Sequence, residues 1–263
     1  MFLNKLQDCN YEMAQLICCG DRSPCNCEDS LTEDYYSERK DSYNCQKKMN
    51  TYAIKYGLSY ISEIYHYLEK SKILNKFRGN SPLNVISLGC GFAPDYYALS
   101  KYNDDNKLNI QINYTGLDIS TAWNTARPNA QNCSFQYTDL RTPFSLQNAH
   151  IVFVCKSFST MYKNGYSRLF LEQLELAINS SLPRDSIIVF IDVNLDSFGR
   201  DEFHNRISLI TNSNTQYFFS GSTYTRPHWI EIESTNIIYD IEQTFLVEFI
   251  DHTNKTIVFE YRK

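Results

Sequence analysis

Asn84-Val-Ile-Ser-Leu-Gly-Cys-Gly-Phe-Ala-Pro-Asp95 is the stretch that decides the fold. Val85-Ile-Ser-Leu88 reads as a buried strand bounded by Gly89, and Pro94 is well placed in the first turn of a following helix. Glycines suit the turn between them, because they accept positive φ and let a ligand approach the backbone closely. The helix N-terminus adds unpaired N–H groups and a partial positive field. Strand, glycine turn and helix in that order predict a ligand-binding crossover in an α/β sheet.

Downstream, short apolar runs alternate with helical patterns. Ile110 to Leu117 alternates and ends at Asp118, Cys133 to Tyr137 is a short third strand, and Ile151-Val-Phe-Val-Cys155 has the near-continuous apolar character of a central parallel strand. A helix is expected over Leu169 to Ile178, a buried strand over Ser186 to Asp192, and another helix over Asp201 to Ile210. The chain then turns β-rich, with Thr215–Ser220 and His228–Glu233 as strand candidates. Thr244–Ile250 and Thr256–Tyr261 flank the turn-rich residues 251–254 and predict a hairpin. Such an order implies a parallel sheet closed by an antiparallel strand.

A dinucleotide site is the obvious rival for the glycine turn. Counted from Gly89, however, the sixth position of its G-x-G-x-x-G pattern is Pro94, where a small residue is expected for close helix packing. Asp118 points to a nucleoside all the same, since an acid ending the second strand reaches the ribose of a nucleoside over the first loop. The competing reading is that Asp118 caps a helix starting near Ser120.

Leu88-Gly89-Cys90-Gly91 followed by Asp118 resembles motifs I and II of the class I S-adenosylmethionine-dependent methyltransferases. The resemblance spans roughly residues 84–263. It implies an α/β fold, a seven-stranded doubly wound sheet with a C-terminal antiparallel hairpin, and S-adenosylmethionine as cofactor. By the same resemblance the Gly89, Cys90 and Gly91 loop passes under the methionine part, Asp118 binds the ribose, and Ile119 beside it belongs to the cofactor site. Asp139 and Leu140 in Tyr137-Thr-Asp-Leu140 meet the adenine, and Cys155 faces the cofactor. Two positions depart from the family pattern: Ser87 stands where an acidic residue is usual, and the third small residue of the loop is Ala93.

Methyl transfer from a sulfonium needs an aligned acceptor more than a catalytic triad. Lys156 and Ser157, just past the fourth strand, are the candidates for acting on the acceptor; a plain charge at a strand mouth is the competing reading of Lys156. Val154-Cys-Lys-Ser-Phe-Ser-Thr-Met-Tyr162 lacks both the Asp/Asn-Pro-Pro-Tyr/Phe signature of amino-methyltransferases and the Pro-Cys pair of cytosine-C5 enzymes. Asp192, Arg226, His228 and Trp229 are further polar or aromatic candidates. The basic run Lys70, Lys72, Lys76 and Arg78, with the many aromatics, favours RNA as acceptor. A formal net charge of −5 speaks for a protein or small-molecule acceptor instead. A non-catalytic binding partner that keeps the methyltransferase fold is the reading from another class.

Residues 1–80 differ from residues 81–263 and predict a helical, cysteine-rich appendage on the cofactor-binding domain. Six of the nine cysteines fall there. Cys19, Cys25, Cys27 and Cys45 are the candidate ligands of a zinc ion, weighed against a reduced structural set or disulfides, because the spacing lacks paired C-x-x-C motifs. A helical pattern follows in which Tyr52, Tyr56, Tyr60 and Ile64 share a face. Tyr52 and Tyr56 are candidates for a lid, or else for a core-facing stripe. The first residues lack a basic start with an apolar run, and no stretch approaches a membrane span, so a cytoplasmic protein without membrane contact is expected.

Overall fold

The computed structural model describes residues 2–16, 27–36, 43, 45–79, 82–252 and 256–263. In chain order the helices and strands are α1 (Phe2–Gln15), α2 (Cys27–Tyr36), α3 (Gln46–Ser71), β1 (Leu83–Leu88), α4 (Pro94–Asp105), β2 (Ile112–Asp118), β3 (Cys133–Tyr137), β4 (Ile151–Cys155), α5 (Phe158–Lys163), α6 (Ser167–Ser180), β5 (Ile187–Val193), α7 (Arg200–Ile207), β6 (Ser213–Phe219), β7 (Ile230–Ile232) and β8 (Thr256–Arg262). They build one sheet in the order β3-β2-β1-β4-β5-β8-β6-β7. The first five strands run parallel, and β8 lies antiparallel between β5 and β6.

The doubly wound sheet follows from alternation within the central strands. Ile151, Phe153, Val189, Ile191 and Val258 join a core with α1, α3 and α4 on one face. Val152, Val154, Ile188, Phe190 and Phe259 join a second core with α5, α6 and α7 on the other. α1 and α3 thus share a core with the sheet. Gly57 permits their close approach, since a Cβ there would lie 2.5 Å from the Phe2 ring. That contact explains a glycine inside a helix, where it is unfavourable by about 1 kcal/mol relative to alanine.

Three expectations need correction. The sheet has eight strands rather than seven, the extra one being the three-residue edge strand β7. The antiparallel C-terminal pairing is made by β6 and β8, and Thr244–Ile250 forms no strand. Its backbone is held by helices instead: Ile250 N–H donates to Lys55 O at 2.8 Å, and Leu246 N–H to Asn10 Oδ1 at 2.8 Å. No helix follows Asp118, because residues 121–127 form successive turns.

Candidate functional site

A cleft of about 470 Å³ opens at the carboxyl ends of the parallel strands. In an open α/β sheet this is where a ligand is expected, at the point where strand order reverses. The glycine turn forms its floor. Gly89 and Cys90 both donate backbone N–H groups to Leu117 O, at 2.8 and 3.2 Å, which ties the loop to the end of β2. Gly89 (φ +66°) and Gly91 (φ +52°) lie in the left-handed region, which disfavours residues with a Cβ. A Cβ at Gly89 would also stand 2.7 Å from Ser157 Cβ. Gly89→Ala is therefore expected to lose about 1–3 kcal/mol of stability and to displace Ser157. Urea denaturation compared with wild type checks this, and an unchanged midpoint would refute it.

Asp118 braces the loop. Its Oδ2 accepts the Gly91 N–H at 2.8 Å and its Oδ1 the Ser120 N–H at 2.8 Å. Burial raises its pKa above the usual carboxylate value, while the two backbone donors pull it back. Arg127 secures the same corner, donating from Nε to Gly91 O at 2.9 Å and from Nη2 to Ser120 O at 3.0 Å. Cys90 contributes backbone to the cleft, whereas its sulfur packs on β2, where a Cβ on Gly116 would meet it at 2.6 Å.

At the β3 end Asp139 is gripped by Arg141. The guanidinium donates from Nε at 2.8 Å and from Nη2 at 2.7 Å, and stacks 4.6 Å from the Tyr166 ring. Those hydrogen bonds hold the Asp139 carboxyl below its usual pKa. Ile119 and Leu140 supply apolar walls between these polar corners.

The β4 end is more crowded. Lys156 sits at φ +52°, and its Nζ lies 2.7 Å from Glu63 Oε2 on α3. The same ammonium donates to Thr256 Oγ1 at 2.5 Å and stands 4.8 Å over the Tyr60 ring. Ser157 Oγ donates to Leu88 O at 3.1 Å. Asp192 faces away from the cleft into α5, accepting the Ser159 N–H at 2.9 Å. Burial raises the pKa of Asp192, and raises that of the Cys155 thiol well above the usual thiol value.

Tyrosines form the roof. Tyr52 from α3 meets Trp123 edge-on at 5.3 Å, and Tyr43 stacks on the same indole at 5.9 Å. Tyr43 is pinned across the cleft mouth: its hydroxyl is 3.1 Å from Thr160 Oγ1, and its carbonyl accepts from Ser120 Oγ at 2.5 Å.

The cleft brings together Gly89, Cys90, Gly91, Asp118, Ile119, Asp139, Leu140, Cys155, Lys156 and Ser157. Of the two suggested lid tyrosines, Tyr52 lines it and Tyr56 stacks behind on Tyr60 at 5.6 Å. Tyr43, Trp123, Arg141 and Tyr166 also line it and carry no motif that sequence reasoning could have used. Arg226, His228 and Trp229 lie away from it. Trp229 is buried against Phe259, His228 hydrogen-bonds Gln216, and Arg226 faces Asp201.

The zinc assignment finds no support. Cys19 and Cys25 fall outside the described residues. Cys27 and Cys45 are buried, and no group of three or more His, Cys, Asp or Glu side chains among the described residues is placed to hold a metal. The RNA expectation loses its motive as well. Lys76 reaches Asp185 O, just before β5, so the basic run lies at the amino ends of the strands. β1, six residues long, separates that end from the cleft by roughly 20 Å. Among the described residues no helix is long and apolar enough to cross a membrane.

The order β3-β2-β1-β4-β5-β8-β6 with β8 reversed is that of the class I methyltransferase fold. No family model matches the chain, and no curated protein sequence matches it. Solved structures do resemble it. The plantazolicin methyltransferase BpumL in complex with SAH is 13% identical, with 90% of this chain and 95% of that one covered and a TM-score of 0.47. The N-methyltransferase NodS from Bradyrhizobium japonicum is 11% identical, covering 77% of this chain and 96% of that one, with a TM-score of 0.44. A TehB-like SAM-dependent methyltransferase from Corynebacterium glutamicum is 12% identical, with 76% and 87% covered and a TM-score of 0.46.

Proposed function

We propose that the protein binds S-adenosylmethionine in this cleft and transfers its methyl group to an acceptor small enough to pass beneath the tyrosine roof. The observation that carries the reading is the Asp118 carboxylate hydrogen-bonded to the Gly91 N–H. It supports the reading because an acid able to accept from ribose hydroxyls then stands beside a floor without side chains at Gly89 and Gly91. The residues fit the cofactor: each Asp118 oxygen retains a lone pair after its backbone bond, and Ile119 and Leu140 offer apolar walls to a flat base. When bound, the cofactor supplies a methyl carbon already activated by a sulfonium. The chain's part is then to orient and to exclude water. Ser157, fixed on Leu88 O, borders the acceptor side. Lys156, engaged by Glu63 and Thr256, holds α3 over the cleft rather than serving as a free base. The roof and the remote basic run favour a small molecule, or a single protein side chain, over RNA.

Calorimetric titration of S-adenosylmethionine and S-adenosylhomocysteine into wild type and Asp118→Ala tests this. Both ligands are expected to bind wild type and to weaken roughly 10–100-fold in the variant, the effect of losing hydrogen bonds to a charged acceptor. A folded wild type that binds neither would sink the cofactor reading.

A further inference from the structure

Beneath the glycine loop lies a carboxylate with no ionic partner. Asp95, in the first turn of α4, is fully buried. Its Oδ1 accepts the Tyr114 hydroxyl at 2.9 Å. Its Oδ2 and the nearby Ser87 Oγ, also fully buried, have no aligned hydrogen-bond partner. Among the described residues no Lys, Arg or His forms an ion pair with it. The groups facing it are Tyr114 on β2, Cys133 on β3, Cys155 on β4 and Cys90 in the loop, all with pKa values raised by burial. An unpaired buried charge is unfavourable by several kcal/mol unless a counter-charge arrives.

The acids around the cleft above are engaged elsewhere, Asp118 being assigned to the ribose in that reading. Asp118 is braced by two backbone donors, Asp139 is gripped by Arg141, and Glu63 is joined to Lys156. A ligand carrying a sulfonium over this loop would bring the missing positive charge. We propose that Asp95 is the counter-charge for that sulfonium, acting through the glycine loop, and so favours the cationic cofactor over its neutral product.

The inference rests on the cofactor reading above. On transfer the methyl C–S bond breaks and its electron pair stays on sulfur, while a lone pair of the acceptor forms the new C–acceptor bond. The positive charge passes to the acceptor, which releases a proton if it carries one. What remains over the loop is a neutral thioether, without the attraction to Asp95 that held the cofactor. Asp95 is thus a positioning residue that eases product exchange, and it does not touch the reacting atoms.

The test is calorimetry of S-adenosylmethionine, S-adenosylhomocysteine and sinefungin, whose amine keeps a positive charge near the sulfonium position, with wild type and Asp95→Asn. The wild-type preference for S-adenosylmethionine over S-adenosylhomocysteine is expected to fall roughly tenfold in the variant, the scale of one buried charge acting across a loop. Sinefungin should weaken along with S-adenosylmethionine. If all three ligands weaken together, or none does, the assignment is overturned. A wild type that binds none of them removes the cofactor reading itself, a separate outcome. Should Asp95→Asn not fold, the wild-type affinity ratio at pH 8 and pH 5 decides. A roughly tenfold loss of preference at pH 5 supports Asp95, and a constant ratio refutes it. Asp118 also has a raised pKa and touches the same loop, so the ratio is measured in Asp118→Asn as well: a loss of preference at pH 5 that persists there belongs to Asp95, and one that disappears refutes it.

Discussion

Glu63→Ala is expected to destabilise the protein by about 3–5 kcal/mol, the scale of breaking a buried ion pair from one side. Glu63 and Lys156 side chains are 5% and 8% exposed, and their charges stand 2.7 Å apart. Thr256 completes the cluster by donating its hydroxyl to Glu63 Oε1 at 2.6 Å while accepting from Lys156. Removing the carboxylate leaves an ammonium facing a hydroxyl and a tyrosine ring, with too little solvent to replace the lost partner. Replacing both, as in Glu63→Leu with Lys156→Met, removes the charges together and should be milder than either single change. Urea denaturation of the two single variants and the double variant measures this. A loss under about 1 kcal/mol in Glu63→Ala would mean that Lys156 swings into the cleft and is solvated there.

Asp95→Asn should make the protein more stable at neutral pH, by up to about 3 kcal/mol. Burial pushes the Asp95 pKa from 3.8 to about 6, with the Tyr114 hydroxyl among the groups that keep it from rising further. Between pH 3.8 and about 6 the folded chain therefore binds more protons than the unfolded chain. Stability contributed by this group falls as pH rises through that window, and the penalty is fully present above about 6. Asparagine keeps an acceptor for Tyr114 and carries no charge, so the two proteins should be closest below about pH 4, separate between about pH 4 and 6, and stay a constant distance apart above that. Subtracting one profile from the other isolates Asp95 from Asp118 and Asp192, whose pKa values are also raised by burial. A variant less stable than wild type at pH 8 would show that the carboxylate's hydrogen bonds outweigh its desolvation. Greater stability joined to poorer discrimination between cofactor and product is a combination that a purely structural role for Asp95 does not produce.

Most of the sheet was legible because its strands carry their own signal. Ile151–Cys155, buried throughout, and Cys133–Tyr137 fall at the positions expected from the sequence. Residues 244–250 were misread for an instructive reason. Phe245, Val247 and Phe249 alternate as a strand would, yet the alternation records one side of an irregular segment, bent at residues 246–247, lying against the first core. Period-two burial identifies a half-covered chain, and only backbone pairing makes it a strand. The glycine turn and Asp118 were visible because a tight turn limits residue choice. The roof was not, since i, i+4 spacing shows that Tyr52, Tyr56 and Tyr60 share a face without saying which turns overlie the cleft. Tyr43, Trp123 and Arg141 reach the cleft from loops, where tertiary placement leaves no periodic trace. The basic run misled because a charge count along the chain does not say which end of a strand the charges occupy.

The position of β8 bears on how the chain assembles. It follows the other seven strands in sequence and yet is a central strand, with β5 on one side and β6 on the other. Until it inserts, β6 and β7 have nothing joining them to the parallel strands, and the cores on both faces lack Val258 or Phe259. Sheet closure therefore waits on pairings between segments far apart in sequence, such as Ile191 with Val258. Topologies of that kind fold slowly, because the entropy of closing long loops is lost before the contacts form. During that interval the unpaired edges of β5 and β6 are open to strands of other chains, so the stage before β8 docks is when this protein is most exposed to aggregation.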